Sequence, residues 1–303
     1  MRLIRFKSPA EIRALRGYVE RLPRGQQKFV GFIGWYKFPD RADWQRCAKA
    51  DCNHSHSQGY VVRTAAGAVA AIGHICGERV FGPVFAAART SIDKVIARDY
   101  ALQGLADSLG QLPELQQRVE ELLNGPRGAH WFDRAAKSFQ EVCPRSLLST
   151  IYDRGSRRDG VIVISRKRTE NDVPPAGTRG ASPYVEERVA VIRGIGALAL
   201  PPPLDILQTR VLSQLLIYRQ MTPGYLIDNK PVRDRFTQWF TSVRREIQDA
   251  ESRLKDAVRF FDTANLRQLA HLARNPQDRA LLSRLLWNEA EGRVEIERDS
   301  LAG

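Results

Sequence analysis

The chain has 303 residues, with 47 Lys and Arg against 34 Asp and Glu, a formal net charge of +13 at pH 7 and a pI near 10.0. At roughly 100–200 residues per domain it holds two or three domains with cores of their own, and a hydrophobic content of 43% excludes a globally disordered chain. The longest apolar runs, such as Val189 to Leu200 around Arg193, fall short of the ~20 residues of a membrane helix. The N-terminal Met-Arg-Leu-Ile-Arg-Phe-Lys lacks a signal peptide's apolar core, so a cytoplasmic location is expected.

Ser8-Pro9-Ala10-Glu11 is a capping box with Pro at the first helical position, and Ile12, Leu15, Val19 and Leu22 follow on one face, which predicts a helix over about 9–22. Lys28 to Phe38, aromatic and carrying two glycines, reads as one bent strand, and Phe38-Pro39-Asp40-Arg41 as a turn. Tyr60–Thr64 and Val69–Ile72 flank Ala65-Ala66-Gly67 as a hairpin. A helix is expected from near Pro83, restarting at Pro113 and stopping at Asn124-Gly125-Pro126. A second hairpin is expected to pair Gly160–Arg166 with Val185–Leu198 through a mobile Thr169–Tyr184 tip. Pro201-Pro202-Pro203 then leads into a helical C-terminal third.

In that third, Phe236, Phe240, Val243, Ile247, Ala250, Leu254, Ala257 and Phe261 step alternately by four and three. This heptad seam suits one face of a bundle helix or a coiled coil that pairs two chains. The expected fold is α+β and mainly α-helical. A zinc-binding basic α/β module covers 1–90, a helical segment 91–155, the second hairpin 156–200 and a helical, coiled-coil-capable domain 201–303.

Chemistry concentrates in the first segment. Of the nine Cys and His in the chain, six lie between positions 47 and 76: Cys47, Cys52, His54, His56, His74 and Cys76. The spacing is C-x4-C-x-H-x-H, a hairpin, then H-x-C between Gly73 and Gly77. Tetrahedral zinc takes four N or S donors, usually from both ends of a hairpin, with glycines that let the backbone turn around the thiolate. An odd number of clustered Cys with interleaved His in an intracellular chain favours a metal over disulfides. Cys47, Cys52 and Cys76 are the natural thiolates and His56 the chosen fourth donor. His54 and His74 are alternates, since residues two apart in an extended segment share a face.

The order of loop ligands, hairpin, glycine-flanked Cys and helix over about residues 28–90 resembles a treble-clef or zinc-ribbon-like module. It departs from the usual pattern in having four residues between Cys47 and Cys52 and a single thiolate where a second pair would stand. The resemblance implies a zinc finger with structural Zn2+ that binds nucleic acid or holds a protein interface, and implies no catalysis. The residues agree: the chain contains no H-E-x-x-H, no H-x-E with P-C-x-x-C, no phosphate loop and no G-x-G-x-x-G. Glu78 is the carboxylate nearest Cys76 in sequence, and Cys143 reads as a small buried hydrophobe.

The charge is uneven. Residues 1–50 hold 12 basic and 4 acidic residues, residues 151–200 hold 9 and 6, and the last 53 residues hold 9 of each. Concentration at one end suggests a patch for a polyanion. Arg13, Arg16, Lys37, Arg41 and Arg46 are the expected phosphate contacts, with Trp35 and Tyr36 stacking on bases. Arg157, Arg158, Arg166, Lys167 and Arg168 form a second basic group along the second hairpin. The leading expectation is a non-enzymatic, zinc-containing protein that binds DNA or RNA. The alternative is a protein-interaction or scaffold subunit in which zinc folds the N-terminus and the C-terminal helices assemble with a partner or a second copy.

Overall fold

A computed structural model describes residues 3–24, 27–169, 172 and 182–297. Helix accounts for 56% and strand for 18%, an α+β fold that is mainly α. The chain divides into two compact units, residues 1–104 and 105–303. No helix among the described residues is long and apolar enough to cross a membrane.

Unit 1 runs β1 (Ile4–Phe6), α1 (Pro9–Arg13), β2 (Phe29–Lys37), β3 (Gln45–Arg46), β4 (Ser55–His56), β5 (Gln58–Thr64), β6 (Val69–Ile72), α2 (His74–Phe81) and most of α3 (Pro83–Gly110). Four strands form one sheet in the order β1-β2-β5-β6, with β1 parallel to β2 and the other pairs antiparallel. Gly34 is what admits β1, because a Cβ there would lie 1.9 Å from Ile4 O. Bulges at Phe29/Gly31 and Phe32/Gly34 reset the alternation of β2, so that Phe32 and Trp35 share one core while Ile33 and Tyr36 share the other. Both faces of the sheet are covered, one by α2 and α3 residues such as Val80, Phe85 and Ile92, the other by Ile12 of α1.

One helical expectation is corrected in this unit. The first helix stops at Arg13 rather than about residue 22: Gly17 takes φ +84° and carries the chain away, so that Val19 N–H donates to Val69 O at 2.8 Å beside β6. A Cβ at Gly17 would meet Gly67 O at 2.7 Å. The helix expected from near Pro83 is α3, and an unexpected short helix, α2, precedes it from His74 and is set off by Gly82 at φ +70°.

Unit 2 contains α4 (Leu112–Asn124), α5 (Ala129–Val142), α6 (Arg145–Arg157), β7 (Val161–Lys167), β8 (Tyr184–Val191), α7 (Pro203–Asp205), α8 (Ser213–Tyr218), α9 (Pro223–Asp228), α10 (Lys230–Phe260), α11 (Thr263–Arg267), α12 (Pro276–Leu282), β9 (Leu285–Asn288) and β10 (Arg293–Ile296). The heptad seam lies along α10, where Phe236, Val243, Ile247, Ala250, Leu254 and Ala257 are buried. It packs inside its own unit, against α5, α7, α9, the π-helical turn Ile206–Leu212 and the 3-10 turn Ile195–Leu198, in place of a coiled coil. The C-terminal third is not wholly helical: β9 and β10 pair antiparallel about a turn with Gly292 at φ +63°. Strand β8 ends at Val191, short of the expected Leu198. Gly194, at φ +66° and with Asp256 O 2.0 Å from where its Cβ would be, turns the chain onto α10. The expected mobile tip, Thr169–Tyr184, falls mostly outside the described residues.

Candidate metal centre

The loop from Cys47 to His54 is a knuckle closed by the β3–β4 pair, in which Gln45 faces His56 and Arg46 faces Ser55. Cys47 N–H donates to His54 O at 3.1 Å, Ala48 N–H to Ala71 O at 2.9 Å and Leu22 N–H to Ala48 O at 2.7 Å, which ties the loop to β6 and to the segment after α1. Arg21 reaches in from that segment. Its Nη1 lies 2.8 Å from Lys49 O and 2.5 Å from Cys52 O, so its guanidinium takes up the carbonyls that a tight loop leaves without partners. Arg21 thus serves the loop from inside, a role that its place in a run of basic residues does not reveal.

Cys76 enters from the opposite side, in the first turn of α2. Cys47, Cys52 and Cys76 offer sulfurs that all lie within 4.8 Å of one another, close enough to hold a metal ion. The Cys52 and Cys76 sulfurs are 3.7 Å apart. Metal–sulfur bonds of about 2.3 Å at tetrahedral angles would separate two sulfurs by about 3.8 Å, so this edge fits. Four free cysteines and no disulfide are present.

The thiols resist ionising together. Burial pushes Cys52 up, but hydrogen bonds from the His54 backbone and ring, then from Cys76 and Cys47, outweigh it and hold this thiol down at about 7. Burial, followed by the Cys47 and Cys52 charges, pushes Cys76 up to about 12. A divalent cation between the sulfurs removes that conflict, because it compensates the thiolate charges as it displaces the protons.

The three histidines differ in their surroundings. His54 is exposed, with Nδ1 3.6 Å from Cys52 Sγ. His56, the expected fourth donor, has its Nδ1 2.8 Å from the Tyr36 phenol oxygen, and the two rings stack at 5.8 Å. Burial holds the His56 imidazole below its ordinary value, and its Nε2 is buried with no hydrogen-bond partner among the described residues. His74 is exposed at the start of α2. Neither flanking glycine makes a tight turn, and packing requires glycine only at Gly77. Gly73 has an ordinary φ of −75°, and Gly77 lies under the Phe85 ring, 2.3 Å from where a Cβ would stand.

Cys143, in unit 2, is buried at the C-terminal end of α5, and burial pushes its thiol up to about 12. Alkylation by iodoacetamide at pH 8 should therefore spare it, since only about one molecule in ten thousand carries the reactive thiolate at that pH. Labelling at Cys143 should rise about tenfold per pH unit up to pH 11. Rapid labelling of Cys143 at pH 8, read by peptide mass spectrometry, would contradict its burial.

The basic residues of the two units differ. In unit 1, Arg13, Arg16, Lys37, Arg41 and Arg46 are exposed and none forms an ion pair among the described residues. In unit 2, Arg157 pairs with Asp153, Arg158 with Asp249, and Arg166 with both Asp172 and Glu187. Arg168 donates to Ser182 O and Asp172 O, and Lys167 is exposed. Much of the second basic group is thus engaged within its own unit.

Trp35 and Tyr36 offer no face to a base, contrary to expectation: they are 4% and 1% exposed. Helices cover both sides of β2, so Trp35 packs edge-on to Tyr100 at 5.0 Å and Tyr36 stacks on Phe38 at 5.1 Å. Glu78 is engaged in an ion pair with Arg89. No family model, curated protein or solved structure matches the chain.

Proposed function

We propose that unit 1 is a zinc-stapled module that binds nucleic acid. Three soft thiolates favour zinc among the common divalent ions. We assign the fourth place to His54, with His56, whose buried Nε2 has no hydrogen-bond partner among the described residues, as the alternate. Zinc–sulfur and zinc–nitrogen bonds of about 2.3 and 2.0–2.1 Å at a tetrahedral angle set a sulfur–nitrogen edge of about 3.6 Å, and His54 Nδ1 stands 3.6 Å from Cys52 Sγ. The order of knuckle, hairpin and a cysteine in the first turn of a helix supports the likeness to treble-clef modules. The role of the ion is structural: it would join the knuckle to α2 across the end of the sheet.

The observation that carries the nucleic-acid reading is the set of five exposed cations, Arg13, Arg16, Lys37, Arg41 and Arg46, that have no ion pair among the described residues of a unit rich in positive charge. Cations without an internal ion pair keep their charge available to neutralise phosphates and release counterions. At a slope of about −0.9 per phosphate, five contacts would reduce affinity about 500-fold between 50 and 200 mM salt. Fluorescence anisotropy of a labelled oligonucleotide across that range measures the slope. Arg41→Glu with Arg46→Glu should flatten it by about two. An affinity that does not change with salt would refute the reading.

A further inference from the structure

The thiol cluster lies in an open cleft of about 590 Å³, lined by the three thiols and His54 together with Trp44, Ile75, His74 and Arg79 among others, and none of its lining residues is acidic. That volume falls in the ~300–1,000 Å³ range of small-ligand clefts. Trp44, 37% exposed, is the one exposed aromatic residue of unit 1 among those described. The Arg41 guanidinium sits over its ring, 5.9 Å from the centroid. Ile75, the second residue of α2, is 53% exposed.

A tryptophan and an isoleucine exposed in one cleft leave apolar area in contact with water, and a flat partner of low polarity would cover it. The absence of carboxylates from the lining, with Arg79 in the wall and Arg41 over the indole, makes an anionic partner electrostatically complementary. A nucleotide combines the two properties. A duplex does not present them together, because its bases are stacked on their neighbours and only phosphates and edges face outward.

Resting on the nucleic-acid reading above, we infer that this cleft captures an unpaired base of single-stranded nucleic acid, which stacks on Trp44 beside Ile75 while Arg41 and Arg79 meet the adjoining phosphates. Trp44 is then the stacking residue that β2, with its covered faces, does not supply. The module selects single strands over duplex because only an unpaired base enters the cleft.

The test uses the full metal-loaded chain and two labelled probes, an oligothymidylate and a duplex of equal length, about 20 nucleotides. Wild type should prefer the single strand. Trp44→Ala should weaken its binding about tenfold, which corresponds to about 1.4 kcal/mol of lost stacking. Trp44→Phe should retain most of the affinity, and duplex binding should not change in either variant. Because Trp44 is partly exposed, metal content serves as the check that both variants are folded. Salt-dependent binding that is indifferent to Trp44→Ala, or a preference for duplex, would overturn the cleft and leave the module reading intact. No binding of either probe by wild type would overturn both.

Discussion

Cys47→Ser and Cys76→Ser should each release the metal and loosen unit 1 at the junction of the knuckle with α2. Cys47 is buried against β6 and Cys76 sits in the first turn of α2, so an ion between them is a crosslink that closes the loop from residue 47 to residue 76. Structural zinc contributes folding free energy outright. For a unit of about 100 residues, each kcal/mol lost lowers the midpoint by roughly 4–8 °C, so the loss of even 3 kcal/mol lowers it by about 12–24 °C. The change should appear as faster hydrogen exchange in peptides from the knuckle, β6 and α2. Full retention of both protection and midpoint in Cys76→Ser would show that the thiols are not joined.

Leu254→Asp should unfold unit 2 rather than separate two chains. Leu254 is buried in the C-terminal part of α10, in a cluster with Val243, Ile247, Ala250 and Ala257 that also takes in Phe139 of α5 and Leu207 of the π-helical turn. An aspartate there either buries an unpaired charge or takes up a proton, and it also forfeits the packing of the leucine. Leu→Ala alone at such sites costs about 2–5 kcal/mol, and Asp adds to that. Urea denaturation followed by circular dichroism should show the helical signal lost at much lower denaturant. A variant that keeps its helicity but halves its mass in light scattering would put the seam at an interface between chains.

The two results bear on what the sequence makes legible. A four-three alternation of apolar residues identifies a buried helical stripe, but the same stripe serves a coiled coil and a bundle. The choice depends on whether other segments of the chain cover it. The 3-10 turn that does so depends on Gly194, whose positive φ a count of apolar residues does not register. Strands β9 and β10 had a signal, the alternation Arg293-Val294-Glu295-Ile296 after a Gly292 turn, which the helical pattern upstream overrides.

In unit 1 the Cys spacing is a local property and brings the three thiols together as the pattern suggests. The choice among His54, His56 and His74 is not local. Tyr36, which fixes one ring nitrogen of His56, lies 20 residues before it in the sequence. Trp35 and Tyr36 read as candidates for stacking because they are aromatics set among the basic residues of the N-terminal segment. The bulges in β2 and the helices on both sides of the sheet bury both, whereas Trp44, past the end of the strand, stays partly exposed. Arg21 is hidden for the same reason, since its partners are carbonyls more than 25 residues away.

Native mass spectrometry of the full chain, purified without a metal-binding tag, tests the central claim most directly. One zinc ion per folded chain is predicted, absent from Cys76→Ser and weakened in His54→Ala. A folded chain free of metal, with Cys47, Cys52 and Cys76 all open to alkylation, would contradict it.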